Sequence, residues 1–314
     1  MKISILTATY NRAQLLDKLY ASILINSNNC PEVQLEWLVM DDGSTDNTRR
    51  IVEEYCKENL IDVKYFHQEN QGKMTAINNL IKETTGDLIV ECDSDDFFTK
   101  DAFKIIVQSL QECKDMGETY ALVFLKYTKD GQNMGNNFIE NDYPSTMFDL
   151  YFKNGITGEK ALVYNASIRK QFEYKLEHDE KFVTEARLHH EMDLKYQVRC
   201  FNKPIMICEY QKEGYTKNIS KLFTTSPFGY YNYFKEIFNQ DMHGVTFKKR
   251  LYVYKHYILF SVLTKEKHPI KNVNGIINKI MVSFLCHLHD FIITQQKVKE
   301  NTFCIELVLI FEIK

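Results

Sequence analysis

Residues 87–96 read Asp-Leu-Ile-Val-Glu-Cys-Asp-Ser-Asp-Asp. The first half is apolar and β-branched and follows a Thr-Gly pair, which is typical of a short buried strand entered from a helix exit. The second half places Asp93, Asp95 and Asp96 within four residues, where the strand ends. Such carboxylates repel one another unless a cation or hydrogen-bond donors neutralise them, and Mg²⁺ or Mn²⁺ prefers oxygen ligands of this kind. The alternative is an acidic turn that caps a helix starting near Lys100.

Strand and helix patterns alternate around this stretch. The predicted strands are Lys2–Ala8, Leu35–Met40, Val63–Gln68, Asp87–Cys92 and Tyr120–Tyr127. The predicted helices contain Leu15–Leu24, Ile51–Tyr55, Met74–Thr84 and Lys100–Lys114. This order predicts an α/β fold, Rossmann-like, with a mainly parallel sheet and helices on both faces. Polar clusters follow the first four strands, so we expect them to converge at one edge of the sheet, where such folds bind ligands.

The second half of the chain has a looser pattern. Residues 133–142 are expected to form a loop, 144–153 a helix, and 160–164 a strand. A helix is expected to begin at Glu185, followed by two short strands, Gln197–Phe201 and Ile205–Tyr210. From about residue 222 the chain becomes aromatic and helical, with long helices predicted at Lys248–Thr264 and Val273–Gln295.

Composition excludes several classes of protein. Hydrophobic residues are 44% of the 314 and the net charge is −3, so a sizeable core is expected and a nucleic-acid partner is not. The eight cysteines are scattered without a C-x-x-C pair, which argues against a disulfide framework. A strand pattern begins at once after Met1, and no apolar run reaches the roughly 20 residues of a membrane span. We therefore expect a cytoplasmic protein.

The common nucleotide fingerprints are missing. No G-x-G-x-x-G follows the first strand, and no G-x-x-x-x-G-K-[ST] occurs in the chain. A dinucleotide dehydrogenase and a P-loop kinase are therefore not expected. The remaining interpretation is a nucleotide that is held by side chains and by a divalent cation bridging its pyrophosphate.

Four ordered motifs carry a more specific resemblance. They are Ile5-Leu6-Thr7-Ala8-Thr9-Tyr10-Asn11-Arg12, Val39-Met40-Asp41-Asp42-Gly43-Ser44-Thr45-Asp46, Asn70-Gln71-Gly72-Lys73 with Ala76-Ile77-Asn78, and Asp93-Ser94-Asp95-Asp96. In order and spacing, these motifs resemble those of the family-2 inverting glycosyltransferases, which have the GT-A fold. The resemblance covers about the first 100 residues.

The resemblance implies a role for each motif. Donor-binding residues would be Thr9, Tyr10, Asn11, Arg12, Asp42, Lys73, Asn78, Asp93 and Ser94. Among these, Thr9 and Tyr10 would line the nucleobase pocket. Asp42 would accept a hydrogen bond from the base, and Asp93 would face the ribose. Asp95 would bind Mg²⁺ or Mn²⁺, directly or through water, with Asp96 in support.

Simpler roles stand beside three of these assignments. Asp42 in a Gly-Ser turn is also a typical cap for the following helix. Lys73 is also interpretable as a solvated lysine, and Asn78 as a packing hydrogen bond within a helix.

The acceptor half resembles bacterial polysaccharide enzymes of the same family, through Gly158-Glu159-Lys160-Ala161 and Lys181-Phe182-Val183-Thr184-Glu185. This resemblance makes Glu185 the catalytic base, and an acidic residue near a helix start suits proton removal from an acceptor hydroxyl. Many members have Glu-Asp where this chain has Glu185-Ala186. His189, one turn later, orients the base, touches the metal or is an ordinary partly buried histidine.

The resemblance implies a metal-dependent inverting glycosyltransferase. It would move a sugar from a nucleotide-diphosphate sugar, expected to be a UDP-sugar, to a hydroxyl of a glycan or lipid-linked acceptor in bacterial surface polysaccharide synthesis. We expect a glycosyltransferase domain at 1–215, with a nucleotide-sugar half at 1–127 and an acceptor half at 128–215, and a helical extension at 216–314.

Three other interpretations remain open from the residues alone. They are a sugar-phosphate nucleotidyltransferase, a phosphatase with a D-x-D nucleophile, and an inactive protein that binds sugar nucleotides. The lysines and aromatic residues between 248 and 279 suggest either a surface that contacts the membrane or a lipid-linked acceptor, or a solvated helical face. No oligomeric state follows from the sequence.

Overall fold

The computed structural model describes residues 1–113, 116–209 and 219–296, with the backbone alone for 219, 220 and 288–296. Its contacts divide the chain into two compact units, Met1–Leu222 and Phe223–Lys314. The domain boundary predicted at 215/216 lies outside the described residues and stays a prediction.

The first unit alternates strands and helices as the sequence predicts. Its first elements are β1 (Lys2–Thr9), α1 (Ala13–Asn29), β2 (Gln34–Asp41), α2 (Thr48–Glu58), β3 (Asp62–His67), α3 (Lys73–Glu83), β4 (Leu88–Glu91), β5 (Asp96–Phe98) and α4 (Ala102–Glu112). The predicted end of the fourth helix, Lys114, lies outside the described residues.

The elements that follow complete the sheet and lead into the second unit. They are β6 (Thr119–Thr128), β7 (Tyr143–Ser145), α5 (Met147–Phe152), β8 (Lys160–Asn165), α6 (Ala166–Arg169), α7 (Glu185–Asp193), β9 (Gln197–Cys208) and α8 (Ile219–Thr225).

In the described residues the sheet has nine strands in the order β3-β2-β1-β4-β8-β6-β9-β5, with β7 paired to β9. The strands β3, β2, β1 and β4 are mutually parallel, and β6 is parallel to β9. The strands β8, β5 and β7 are antiparallel to their neighbours. The carboxyl ends of β1, β2 and β4 therefore meet at one edge.

Both faces of the sheet are covered. On one face α1, α2 and α4 pack on a buried cluster in which Tyr20, Trp37 and Tyr55 stack, the rings of Tyr20 and Tyr55 being 4.0 Å apart. On the other face α3, α5 and α7 pack on a second cluster around Leu38 and Val123. Helices on both faces confirm the α/β architecture expected from the sequence.

Two predicted elements are wrong in detail. The two short strands expected between Gln197 and Tyr210 form one strand, β9, because a bulge absorbs the Asn-Lys-Pro break: Phe124 pairs with Phe201, and the next residue of β6 pairs with Pro204. The helix expected over 144–153 begins only at Met147, because the preceding residues form β7 against β9. Tyr210 lies outside the described residues.

The second unit is helical, as predicted. It contains α9 (Pro227–Ile237), α10 (Phe247–Leu263) and α11 (Ile276–Gln296). Aromatic rings join α9 to α10: Tyr230 and Phe234 stack on Phe260, and Tyr231 stacks on Tyr257. Among the helices described, none has both the length and the apolar character needed to cross a membrane.

Candidate active site

The polar clusters that follow β1, β2 and β4 come together at one edge of the sheet. Thr9 pairs with Asp41 at the ends of β1 and β2, and the backbone N–H of Asp42 donates to the carbonyl of Thr9. The strand β4 lies on the other side of β1, so Asp93 emerges at the same edge. The convergence predicted from the sequence is thus present in the structure.

Lys73 joins two carboxylates that are far apart in the sequence. Its Nζ lies 2.6 Å from Oδ1 of Asp93 and 2.8 Å from Oε1 of Glu185. The Lys73 side chain is 18% exposed, and both carboxylates are 44% exposed. Because Lys73 begins α3 and Glu185 begins α7, this ion-pair triad connects two helix N-termini with the end of β4.

The triad shifts the acidity of its members. Lys73 lowers the pKa of the Glu185 carboxyl below its usual range. Burial alone would raise the pKa of Asp93, but the positive charges of Lys73 and Lys126 lower it overall. Burial likewise opposes the charge on Lys73, yet Asp93 and Glu185 keep its pKa well above the usual value. All three groups are therefore charged at neutral pH.

Asp42 binds the backbone of the turn that leads into α3, the helix that begins at Lys73. The backbone N–H of Gln71 donates to Oδ1 of Asp42 and that of Gly72 donates to Oδ2, both at 2.8 Å, and the Gln68 amide also donates to Oδ1. Asp42 is 4% exposed, and a carboxylate offers about four lone pairs, so little capacity remains for a ligand. In the structure, the Asp42 carboxylate holds the turn that precedes Lys73 through these hydrogen bonds. The hydrogen bond predicted between Asp42 and a nucleobase stays a prediction.

Gly72 is required by this turn. Its φ is +93°, and a Cβ there would lie 2.2 Å from the carbonyl oxygen of Lys181. A side chain at this position would both strain the backbone and displace the segment that leads to Glu185.

Arg12 lies beside the acidic cluster. Its Nη1 is 3.3 Å from Oδ1 of Asp95 and donates to Oγ of Ser94, also at 3.3 Å. Burial raises the pKa of Asp95, and Arg12 only partly offsets that effect. Asp95 is 15% exposed in its side chain, so its carboxylate is shielded but still reachable.

Asp96 has a different environment. Its side chain is 3% exposed, and Oδ2 lies 2.7 Å from Nζ of Lys126, which is also 3.6 Å from Glu159. In this structure Asp96 is neutralised by a lysine and not by solvent. Asp96 could bind a metal directly only if Lys126 moved away. Its predicted support of the metal site would otherwise come from the Asp96–Lys126 ion pair.

The aspartates that follow β4 suit a cation that takes few of its ligands from the protein. No group of three or more His, Cys, Asp or Glu side chains suited to a metal occurs in the part of the chain that the structure describes. Asp95 nevertheless offers a partly exposed carboxylate whose pKa is raised by burial and by neighbouring Asp93 and Asp96. A cation that takes one or two carboxylates and completes its shell with substrate phosphates, as Mg²⁺ does, fits these residues.

The residues after β1 divide between open and structural roles. Oγ1 of Thr9 is buried and has no hydrogen-bond partner among the described residues, while Tyr10 is 48% exposed. Asn11 has φ +51° and links two loops, since its N–H donates to Oγ of Ser44 and its Oδ1 accepts from the N–H of Thr45. Asn11 thus shapes the rim in this structure.

Asn78 and His189 take part in packing. The amide of Asn78 exchanges two hydrogen bonds with the backbone of Tyr174, at 2.8 and 2.9 Å. Nε2 of His189 lies 2.9 Å from the Tyr164 hydroxyl, and burial lowers the pKa of His189 to about 4. His189 is therefore neutral at pH 7, which agrees with an ordinary buried histidine one turn after Glu185.

Sequence reasoning missed the ion pair between Arg169 and Glu91. Arg169 is fully buried, its Nε and Nη2 lie 2.9 Å from Glu91, and its guanidinium packs over the rings of Tyr164 and Tyr174. Glu91 ends β4, two residues before Asp93, so this pair fixes the strand end that carries the triad. The partners are 78 residues apart and no local pattern links them.

Comparison with known families agrees with this geometry. The model of the family described as glycosyl transferase family 2 matches residues 4–185. This range is more than half of the chain, and it extends from β1 to Glu185.

Individual relatives match shorter segments. An uncharacterized glycosyltransferase of Mycoplasma pneumoniae, an MG060 homolog, is 36% identical over 132 residues, which are 41% of this chain and 42% of that protein. The poly(ribitol-phosphate) beta-N-acetylglucosaminyltransferase TarS of Staphylococcus aureus is 31% identical over 104 residues, 33% of this chain and 18% of TarS. The matches thus span less than half of either relative.

Solved structures share the fold. Residues 1–349 of S. aureus TarS in complex with UDP-GlcNAc superpose with a TM-score of 0.58 at 18% identity, covering 90% of this chain and 78% of that one. The mannosyltransferase PcManGT of Pyrobaculum calidifontis, in complex with GDP-Man and Mn²⁺, gives 0.50 at 14% identity, covering 91% and 79%. At these identities the likeness shows the fold, and the expected GT-A class is confirmed.

Proposed function

The chain belongs to glycosyl transferase family 2, and on that premise we propose that this glycosyltransferase moves a sugar from a UDP-sugar to an acceptor hydroxyl with inversion at the anomeric carbon. The observation that carries the proposal is the triad of Lys73, Asp93 and Glu185 beside Asp95. It combines a carboxylate base, a cation for phosphates and a carboxylate for a divalent metal at one edge of the sheet. The donor half corresponds to residues 1–127 and the acceptor half to 128–215.

A UDP-sugar suits the donor side of the site. TarS, whose fold this chain shares, has been crystallised with UDP and with UDP-GlcNAc. Thr9 and Tyr10 would line the nucleobase pocket, since Thr9 has an unpartnered buried hydroxyl among the described residues and Tyr10 is exposed. Asp93 and Ser94 would face the ribose, and Arg12 and Lys73 supply positive charge near the phosphates.

Mg²⁺ or Mn²⁺ would be held by Asp95 together with the donor's phosphates. The bound cation would supply charge neutralisation to the departing nucleotide diphosphate. In the chain itself, Arg12 orients the Asp95 carboxylate, and Lys126 neutralises Asp96 so that the two aspartates do not repel each other at full strength.

Glu185 would act as the base. It removes the proton from the acceptor hydroxyl, whose oxygen attacks the anomeric carbon from the face opposite the leaving nucleotide, so the configuration inverts. The lowered pKa of Glu185 keeps it deprotonated at neutral pH. Removal of a positioned base typically costs about 10²–10⁴-fold in rate.

The acceptor is proposed to be a glycan or lipid-linked hydroxyl in surface polysaccharide synthesis. Support comes from TarS, named for the transfer of N-acetylglucosamine to poly(ribitol phosphate). The donor sugar and the acceptor class are separate questions, so the first experiment uses the donor alone.

Donor binding is tested by thermal unfolding with UDP-GlcNAc, UDP-glucose and GDP-mannose, each with and without Mn²⁺. A ligand at a hundred times its Kd contributes about 2.7 kcal/mol, which corresponds to a rise in Tm of about 5–11 °C for a unit of this size. The proposal expects a UDP-sugar to give this rise in a Mn²⁺-dependent manner. No rise with any UDP-sugar would contradict it.

The base is tested by Glu185→Gln, with Glu191→Gln as the matched control. Both residues lie on α7, and Glu191 pairs with Lys175 away from the triad. We expect Glu185→Gln to retain the donor-induced rise in Tm and to lose UDP release from the UDP-sugar about 10²-fold or more. Glu191→Gln should behave like the unchanged protein. Normal UDP release by Glu185→Gln would remove Glu185 from the mechanism.

A further inference from the structure

The helix α11 has an apolar face that no other helix covers within the described residues. Ile276, Ile277, Ile280 and Phe284 are 79, 71, 61 and 61% exposed. Their spacing places them on one side of the helix. The opposite side is anchored, since Val282 is fully buried and the Tyr254 hydroxyl donates to Oδ1 of Asn278 at 2.6 Å.

The segment of the chain that contains this face is basic. Residues 223–296 contain nine Lys and Arg against four Asp and Glu, whereas residues 1–209 contain 24 against 34. Lys279 is exposed in α11, and Lys265, Lys267 and Lys271 are exposed in the segment between α10 and α11. An exposed apolar stripe flanked by lysines combines the two features that bind a helix to the surface of an anionic bilayer.

We propose that the α11 face, comprising Ile276, Ile277, Ile280 and Phe284 with Lys271 and Lys279, docks on an anionic lipid surface. The apolar side chains enter the interface between headgroups and acyl chains, and the lysines contact lipid phosphates. The charge imbalance favours a lipid surface over a second copy of this chain, because two copies of the same basic face repel each other.

Sedimentation of the full chain with sucrose-loaded vesicles tests the proposal. The vesicles are phosphatidylcholine alone, or phosphatidylcholine with 30% phosphatidylglycerol. Binding is expected to the anionic vesicles and to weaken as salt rises. Each lysine near an anionic surface contributes about fivefold in affinity, so Lys271→Gln/Lys279→Gln should weaken binding by about 25-fold.

The apolar contribution has its own variant and control. Ile280→Gln/Phe284→Gln should weaken binding by about tenfold or more, whereas Ile139→Gln, at a site 72% exposed in the first unit, should leave it unchanged. All of these positions are exposed, and an unchanged Tm verifies folding. The donor-induced rise in Tm should be the same in every variant, which separates this test from that of the proposed function.

Three outcomes would overturn the proposal. The first is equal binding, or no binding, to both kinds of vesicle. The second is a concentration-dependent dimer in sedimentation equilibrium that Ile280→Gln/Phe284→Gln abolishes, which would make the face an interface between copies. The third is vesicle binding only after removal of residues 297–314, which would show that this segment covers the face in the full chain.

Discussion

Lys73→Met is the most informative single change, because Lys73 holds Asp93 and Glu185 together. Both carboxylates are 44% exposed, so each pair is worth about 0.2–1 kcal/mol, as for exposed pairs, and not the 3–5 kcal/mol of a buried one. Losing both pairs should cost the variant about 0.4–2 kcal/mol of stability at pH 7, or about 1–8 °C in Tm.

The pH dependence of this loss has a defined sign. Asp93 and Glu185 have pKa values below their usual range in the folded chain. Their pairing therefore stabilises the fold above the usual carboxylate pKa, and the stabilisation disappears as pH falls through the lowered values. The difference in Tm between the unchanged protein and Lys73→Met should be largest near neutral pH and should shrink below about pH 4.

Catalysis should respond in a second, independent way. Without Lys73 the pKa of Glu185 rises, so the acid limb of the pH–rate profile for UDP release should move to higher pH. A lost charged hydrogen bond to the phosphates, about 1.5–3 kcal/mol, should also lower kcat/KM by about 10–150-fold. Lys82→Met, at the far end of the same helix, is the control for charge and length. An unmoved acid limb in Lys73→Met would refute the electrostatic link to Glu185.

Three further changes test the framework of the site. Glu36→Gln should lower the free energy of unfolding in urea by about 3 kcal/mol at pH 7, because this fully buried carboxylate pairs with Lys2 and Lys64. Its pKa lies well below the usual value, so this loss of stability should become smaller as pH drops below about 4. Gly72→Ala should lower the free energy of unfolding by about 2–4 kcal/mol and reduce the donor-induced rise in Tm. The control is Gly131→Ala, at a φ of +77° with no atom near its Cβ, which should leave the donor-induced rise intact. Burial raises the pKa of the Asp193 carboxyl to about 7, so this carboxyl stays protonated in the folded state and the protein loses stability as pH rises from about 4 to 7. Asp193→Asn should make the free energy of unfolding less dependent on pH over this range.

The first half of the fold was predictable because its elements have strong local patterns. The strands β1, β2 and β4 are mainly apolar, the helices between the strands are amphipathic, and polar residues follow each strand. The parallel order then requires these polar residues to converge. The meeting of these polar residues at one sheet edge was therefore predictable, while their roles in a site stay a prediction. The family match excludes the nucleotidyltransferase and phosphatase alternatives.

The remaining features depend on contacts that no local pattern encodes. The bulge at Asn202 preserves one long strand only because β6 runs beside it, with the N–H of Phe138 donating to Oδ1 of Asn202. The carboxylate of Asp96 looks equivalent to that of Asp95 in the sequence, yet Lys126 on another strand neutralises it. Such partners become visible only when the sheet is assembled.

A crystal structure with a UDP-sugar and Mn²⁺ tests the central claim most directly. We expect an anomalous manganese peak at a direct coordination distance of about 2.1 Å from a carboxylate oxygen of Asp95. The donor's phosphates should lie within reach of Lys73, and the Glu185 carboxylate should lie on the acceptor side of the anomeric carbon. A donor bound at another surface, with Asp95, Lys73 and Glu185 all remote from it, would contradict the account.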